Sequence, residues 1–293
     1  MHRCLRALLV GTALAVSLGV SPAHAAAAEA KAYPNGHLLV DAAWLRARLG
    51  DPGLRVVDLR AALAYAAGHV PGAVNFQVEA LRTTAVDILE GRLGRAGLAA
   101  QHTVVLYDDE DGLAASRMFL ALEYLGHERV HVLNGGFRAW TAAGGTVARA
   151  ATAHPAAVYR ARPRPEVIAT KADVLAGLKH PGRVLLDART GPEFRGRDVR
   201  AARGGHIPGA RHVEWTENLA RKSGGSLWKP AAEARAMYMA AGATPDKEVI
   251  TYCQTHSRAS HTYFTLRLLG YENLKAYLGS WEEWGNDPAL PVE

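Results

Sequence analysis

The chain has 293 residues, of which 49% are hydrophobic and 21% charged, so its composition is that of a globular protein of about two domains and excludes a disordered or low-complexity chain. The net charge of +6 is spread along the sequence without a dense basic run, which favours small anions over nucleic acid as partners. With two cysteines, Cys4 and Cys253, the chain can form neither a disulfide framework nor a zinc site built from cysteines alone.

The first 25 residues contain the three parts of a secretory signal peptide. Arg3 and Arg6 form a basic segment, residues 7–20 form an uncharged apolar segment, and residues 23–25 fit the A-x-A cleavage pattern. A membrane anchor is the alternative, but the apolar segment is shorter than the roughly 20 residues that a span requires. We therefore expect residues 1–25 to be removed, which makes the protein periplasmic or secreted, with no stable membrane insertion. Cys4 would leave with the signal peptide.

The rest of the chain contains two copies of one pattern. The matching segments keep their order, and the offset between copies grows from 129 to 145 residues because the second copy contains insertions. The matches are LRVVDLR (54–60) with RVLLDAR (183–189), GHVPGA (68–73) with GHIPGA (205–210), VVLY (104–107) with VITY (249–252), and NGGFRAW (134–140) with LGSWEEW (278–284). A repeat this long predicts two domains, residues 33–149 and 166–293, joined by an extended, proline-containing linker, residues 150–165.

Each copy shows the pattern of an α/β domain. In the second copy, VLLD (184–187) and EVITY (248–252) are short apolar runs, which are typical of strands buried on both faces of a parallel sheet. Residues 259–269 then carry apolar side chains at helical spacing, and Gly270 is a suitable helix end. Strand, loop, helix and strand in this order predict a mainly parallel sheet flanked by helices, formed twice.

The loop after EVITY is the strongest candidate for chemistry. It reads CQTHSR (253–258), and a helix is predicted to start around Arg258. Ligands of open α/β sheets bind at the carboxyl ends of the strands, and the free N–H groups at a helix N-terminus stabilise anions. A lone cysteine in an oxidising compartment is either a buried apolar filler or a nucleophile, and this position favours a nucleophilic thiolate.

The first copy has a different loop at the matching position. The offset of 145 residues places Asp108 where the second copy has Cys253, and residues 108–111 are all acidic. Such a loop repels anions and contains no sulfur, so we expect the first domain to be structural and not catalytic. Cation binding by the acidic loop is the alternative, for which one crowded loop is weak evidence.

Together these residues resemble the tandem-domain rhodaneses, which are thiosulfate sulfurtransferases, and the loop is most similar to the bacterial, exported type. The resemblance covers nearly all of residues 33–293 and rests on the two Asp-x-Arg segments, the two G-H-[VI]-P-G-A turns, the loop 253–258 and GSWEEWG (279–285). It implies a rhodanese-like fold in each half and an inactive first domain. It also implies that Cys253 takes the outer sulfur of thiosulfate as a persulfide and passes it to cyanide or another thiophilic acceptor, without a cofactor or metal.

The resemblance also implies a set of residues around the substrate. Arg258 could stabilise the thiolate or bind the sulfite leaving group, or it could tie the loop to an acid such as Glu193. Arg189 could face the pocket or pair with a carboxylate, and Asp187 is expected to order the loop. His256 could touch the substrate or lie in solvent. The predicted substrate-binding residues are Arg258, Arg189, Gln254, Thr255, His256 and Ser257.

Several alternatives remain open at this point. Animal rhodaneses have a second arginine where this chain has Glu193 and basic residues where it has Gln254 and Thr255, so 3-mercaptopyruvate is a possible donor in place of thiosulfate. A periplasmic sulfur-delivery module with a protein thiol as acceptor is another alternative. Phosphatases of this fold need a Cys-x5-Arg loop, whereas this chain has Cys-x4-Arg. An arsenate reductase would need a second cysteine, which the mature chain does not contain. A metal site on Cys253, His256 and His261 would lack a fourth ligand. A monomer is compatible with every one of these readings.

Overall fold

A computed structural model describes residues 32–77, 84–222 and 225–293. The predicted signal peptide, residues 1–25, lies outside these ranges. Within them the chain forms two five-stranded parallel sheets of matching strand order, each flanked by helices, which confirms the predicted fold class. None of the helices in these ranges is long and apolar enough to cross a membrane.

The first domain has the strand order β1-β5-β4-β2-β3. Its strands are β1 Leu39–Val40, β2 Leu54–Asp58, β3 Ala73–Asn75, β4 Thr103–Tyr107 and β5 Val130–Leu133. Its helices are α1 Ala42–Arg46, α2 Ala62–Ala67, α3 Val86–Arg95, α4 Leu113–Tyr124 and α5 Gly136–Ala142. The central strand β4 is almost wholly buried, as a strand covered by helices on both faces must be.

The second domain repeats this arrangement, with the strand order β6-β12-β11-β7-β8. Its strands are β6 Ile168–Ala169, β7 Arg183–Asp187, β8 Arg211–His212, β9 Leu219–Lys222, β10 Gly225–Trp228, β11 Glu248–Tyr252 and β12 Leu274–Tyr277. Its helices are α6 Lys171–Ala176, α7 Gly191–Phe194, α8 Ala231–Ala240, α9 Ser257–Leu268 and α10 Ser280–Trp284. Strands β9 and β10 form a separate antiparallel pair in an insertion of the second copy.

A hydrophobic cluster with members from both domains joins them, and each domain also has a cluster of its own. Helix α4 packs against helix α9, and buried side chains from both domains belong to a single cluster. At the centre of this contact Phe119 meets Phe264 edge to face, with ring centroids 4.7 Å apart. These two residues are separated by 145 positions, which is the offset of the repeat. The interface is therefore pseudo-symmetric, because equivalent residues of the two copies meet on its axis.

The segment between the domains packs on the first domain. Residues 151–164 contain no helix or strand, yet Tyr159 is buried. The N–H of Ala157 donates to the carbonyl of Gly94 at 2.9 Å, and the N–H of Arg162 donates to that of Leu125 at the same distance. The connection is thus extended and anchored by backbone hydrogen bonds.

Candidate active site

Cys253 lies at the carboxyl end of the central strand β11, directly before the loop that leads into α9. The residue is 1% exposed. Its N–H donates to Ser280 Oγ at 3.3 Å, and its carbonyl accepts the N–H of Trp281 at 2.9 Å. Both partners begin α10, so the cysteine is held at the junction of a strand end and two helix starts.

The first copy has the same backbone arrangement around Asp108. The carbonyl of Asp108 accepts the N–H of Phe137 at 2.9 Å, as the carbonyl of Cys253 accepts that of Trp281. Asp108 and Cys253 therefore occupy equivalent positions in the two domains, as the sequence offset predicts. Asp108 is also 1% exposed, so both loops direct this side chain inward.

The carboxylate of Asp108 shows what such a loop can hold. It accepts three backbone N–H groups, from Glu110 at 3.1 Å and from Gly112 and Ala115 at 2.9 Å each. Burial raises the pKa of this carboxyl, and the three hydrogen bonds oppose that shift. The positions that match Glu110 and Gly112 in the second copy are Thr255 and Ser257. The loop type is thus a ready-made cradle for an anion on the side chain that follows the strand.

His256 fixes the conformation of the loop 253–258. It adopts a left-handed backbone conformation, φ +62°, directly before α9, as Asp111 does at the matching position of the first copy. Its Nε2 lies 3.1 Å from Thr251 Oγ1 and its Nδ1 3.2 Å from Ser260 Oγ. Burial lowers its pKa to about 3. The imidazole is therefore neutral and buried. It neither lies in solvent nor faces a substrate position, which were the two expectations for it. Through Thr251 and Ser260 it joins β11 to α9.

Arg258 closes the loop by a bidentate ion pair with Glu193. Its two terminal nitrogens lie 2.6 and 2.8 Å from the two carboxylate oxygens. Burial alone would raise the pKa of Glu193, but the hydrogen bonds from Arg258 and Thr190 outweigh it and lower the pKa to about 2. Burial lowers the pKa of Arg258, but the hydrogen bonds with Glu193 and the nearby Cys253 outweigh burial and raise that pKa above its usual range. The structure thus shows the clamp that the sequence analysis gave as one of two roles.

The remaining predicted loop residues differ in their surroundings. Gln254 Nε2 donates to the carbonyl of Arg200 at 2.9 Å, which ties the loop to the segment after α7. Thr255 is exposed and Ser257 is half-buried. By analogy with Glu110 and Gly112 of the first copy, their backbone N–H groups, rather than their side chains, are the ones expected to form the cradle.

Arg189 belongs to a buried pair that both copies contain. It is 1% exposed, and its Nη2 donates to Asp187 at 2.6 Å and to the carbonyl of Gly205 at 2.8 Å. Arg60 makes the same bonds to Asp58 and to Gly68, at 2.6 and 2.7 Å. An arrangement that is repeated in the domain without the cysteine indicates a structural role. The structure therefore does not bring Arg189 to the loop surface.

Three contacts of this site are absent from the sequence prediction. Ser280 accepts the Cys253 N–H, Trp215 packs in the small cluster that contains Cys253, and Arg200 holds Gln254. Ser280 could have been found, because the aligned segments 134–140 and 278–284 both begin a helix beside their loop. Trp215 and Arg200 lie where the second copy contains insertions, so the repeat gives no signal for them.

A metal site at this loop has no support in the geometry. Both ring nitrogens of His256 face hydroxyl groups, and His261 stacks on Trp228 with ring centroids 4.5 Å apart. Among the described residues, no three His, Cys, Asp or Glu side chains are grouped so that they could hold a metal ion.

Comparison with known proteins identifies the family. The model of the rhodanese-like domain matches residues 41–143 and again residues 170–287. The chain belongs to the rhodanese-like family. A thiosulfate sulfurtransferase of Azotobacter vinelandii is 38% identical over 267 residues, which are 87% of this chain and 97% of that protein. The sulfur carrier protein TtuD of Thermus thermophilus is 33% identical over 89% of this chain and 98% of its own length.

A solved structure has a fold similar to that of this chain. In this structure the enzyme EanB, in a tetrahedral intermediate state with ergothioneine, carries a persulfide on a cysteine. The likeness has a TM-score of 0.78 at 27% identity and covers 88% of this chain and 70% of that one. The two-domain fold of this chain therefore also occurs within a larger protein of known structure.

Proposed function

We propose that this protein is a thiosulfate sulfurtransferase that works through a persulfide on Cys253. The thiolate attacks the outer sulfur of thiosulfate, so that a new S–S bond forms while the S–S bond of thiosulfate breaks. Sulfite leaves with the bonding electron pair. A thiophilic acceptor such as cyanide then attacks the outer sulfur of the persulfide, and the electron pair of that S–S bond returns to the Cys253 thiolate.

One observation carries the proposal. In the first copy, three backbone N–H groups converge on the carboxylate of Asp108, at the position that Cys253 occupies in the second copy. The same cradle around Cys253 would stabilise a thiolate before the transfer and a persulfide anion after it. The relatives named as thiosulfate sulfurtransferases support the same reaction class and donor.

The other loop residues have supporting roles in this mechanism. Backbone N–H groups of the stretch Gln254–Arg258 bind the sulfur, and His256 fixes the loop conformation in which they converge. The pair of Arg258 with Glu193 closes the loop and places a positive charge near the sulfur. Because two hydrogen bonds to Glu193 hold Arg258 in place, its guanidinium does not move with the leaving sulfite. Its positive charge instead stabilises the negative charge on the sulfur of Cys253.

A carrier function is the second candidate, and the relative named as a sulfur carrier protein favours it. The outer sulfur of the same persulfide would then pass to a protein thiol, and turnover with small acceptors would be slow.

We also propose that the N-terminal residues 1–25 export the chain and that it acts in the periplasm or outside the cell as a monomer. Export would give the protein contact with external sulfur anions.

Mass spectrometry of the loaded protein tests the proposal. The chain from Ala26 onward, incubated with thiosulfate, is expected to gain the mass of one sulfur atom on the peptide that contains Cys253. The Cys253→Ser variant should gain nothing under the same conditions. Loading by 3-mercaptopyruvate but not by thiosulfate would contradict the proposed donor and keep the nucleophile. Loading by neither donor would contradict a sulfurtransferase at this cysteine.

A further inference from the structure

In each copy a connection joins the Asp-x-Arg segment to the G-H-x-P-G-A turn, and the two connections differ in length and charge. Residues 61–67 of the first copy contain no charged side chain. The matching connection of the second copy, residues 190–204, is eight residues longer and contains four arginines against two carboxylates. The repeat therefore adds positive charge in the copy that contains Cys253.

This longer connection lies along the catalytic loop and contacts both of its ends. The carbonyl of Arg200 accepts the side-chain N–H of Gln254, next to Cys253, and Glu193 binds Arg258 at the other end of the loop. Arg203 anchors the last part of the connection, because its guanidinium donates to the carbonyls of Trp284 and Leu290 at 2.9 and 2.7 Å. The segment is thus held in place beside the loop that contains Cys253.

Three of its arginines face solvent. We call Arg195, Arg197 and Arg200 the arginine rim; all three are exposed, and Val199 between them is 54% exposed. Arg200 pairs with Asp198 at 2.7 Å. Within the described part of the chain, the guanidinium groups of Arg195 and Arg197 have no carboxylate partner, so their charge is available to a binding partner.

We propose that the arginine rim is a docking surface for an acidic protein or peptide whose thiol accepts the sulfur from Cys253. This inference rests on the proposed persulfide and names its acceptor. Unpaired, exposed arginines attract a partner that carries carboxylates, and the exposed Val199 offers an apolar contact among them. A small donor needs only the cradle at Cys253, whereas exposed arginines spread over residues 195–200 can bind several carboxylates of one polypeptide.

The transfer step balances without a further reactant. The thiolate of the docked partner attacks the outer sulfur of the Cys253 persulfide, and a new S–S bond forms on the partner. The S–S bond at Cys253 breaks, and its electron pair stays on the Cys253 thiolate. The proton of the partner thiol goes to solvent before the attack.

The test uses three synthetic peptides that contain one cysteine flanked by glutamates, by glutamines or by lysines. Cys253 is loaded with thiosulfate in one sample and with sodium polysulfide in a parallel one, and the rate of persulfide transfer to each peptide is followed by mass. Failure of thiosulfate loading alone would contradict the proposed donor, and the polysulfide sample would still test the rim. Each rate is divided by the rate with the glutamine peptide, so differences in loading cancel.

The wild-type protein is expected to transfer sulfur to the glutamate peptide about tenfold faster than to the glutamine peptide at low salt, and about equally at high salt. The double variant Arg195→Gln/Arg197→Gln should lose this preference. The matched control Arg160→Gln/Arg162→Gln removes two exposed charges from the segment between the domains and should keep the preference. Equal wild-type rates, faster transfer to the lysine peptide, or a preference that survives in the rim variant would overturn the proposal. The salt dependence of the wild-type ratio decides the matter if the rim variant does not fold.

Discussion

At the scale of single residues, the site depends on a buried charge pair. The side chain of Glu193 is fully buried and that of Arg258 is 17% exposed, so each would be costly without the other. The pair joins α7 to the N-terminal turn of α9 and so fixes one end of the catalytic loop. Its role follows from the position of the two charges and does not require that either side chain touch the substrate.

Truncation of Arg258 tests this pair. We expect Arg258→Ala to lower the free energy of unfolding by about 3 kcal/mol, because the buried carboxylate of Glu193 loses its bidentate partner and keeps only Thr190 and the more distant Arg200, at 3.7 Å. The control is Lys171→Ala, which breaks the more exposed pair with Asp287 and should cost about 0–1 kcal/mol. Urea unfolding followed by circular dichroism measures both. Equal effects of the two substitutions would show that the loop clamp does not stabilise the fold.

At the scale of elements, the acidic loop of the first copy is a packing element for the second domain. Gly112, at the start of α4, has φ +89°, and a Cβ atom there would lie 2.2 Å from the ring of Trp228 on β10. The indole of Trp228 in turn donates to Thr265 Oγ1 on α9 at 3.0 Å. The loop of the first domain, the inserted strand pair and α9 therefore form one contiguous contact.

Two glycine substitutions separate this packing from backbone strain. Gly72 also has a left-handed conformation, φ +79°, but a Cβ atom there meets nothing within 4 Å. We expect Gly72→Ala to cost about 1 kcal/mol from the backbone alone, and Gly112→Ala to cost about 1–3 kcal/mol more because it overpacks the domain contact. Thermal unfolding of both variants measures the difference. A similar loss of stability in both variants would mean that the ring of Trp228 can shift to accommodate the added methyl group at little cost.

Some elements of the fold and site can be predicted from the sequence and others cannot. The strands β7 and β11 and the helix α9 are predictable because their apolar spacing is local and the repeat supplies it twice. The position of Cys253 between the end of β11 and the start of α9 is predictable for the same reason. The inward turn of His256 is not predictable, because it depends on the hydroxyls of Thr251 and Ser260 being brought together by the fold. Nor is the contact of Trp215, which lies in a segment without a counterpart in the first copy.

At the scale of the whole molecule, the buried histidines make stability depend on pH. Asn218 Nδ2 lies 3.2 Å from His261 Nδ1, and since an amide nitrogen only donates, the imidazole of His261 must accept and be neutral. Burial lowers the pKa values of His261 and His256 to about 3, against about 6.5 for an unfolded chain. The unfolded chain thus binds more protons below pH about 6.5, so the free energy of unfolding falls as the pH drops towards 3.

Urea unfolding at pH 7 and pH 5 tests this dependence. We expect the wild-type protein to lose about 1–2 kcal/mol per buried histidine over this interval. The variant His261→Gln cannot be protonated and should show a smaller loss between the two pH values, even if it is less stable at pH 7. A variant whose loss equals that of the wild type would show that His261 does not contribute to acid sensitivity.

The most direct measurement of the central claim is the rate of thiocyanate formation from thiosulfate and cyanide. The claim is that the sulfur chemistry belongs to Cys253 and that the first domain takes no part in it. We expect the wild-type protein to turn over, Cys253→Ser to lose activity entirely, and Asp108→Asn, which alters the matching loop of the first copy, to retain most of it. Activity in Cys253→Ser, or its loss in a folded Asp108→Asn protein, would contradict the account.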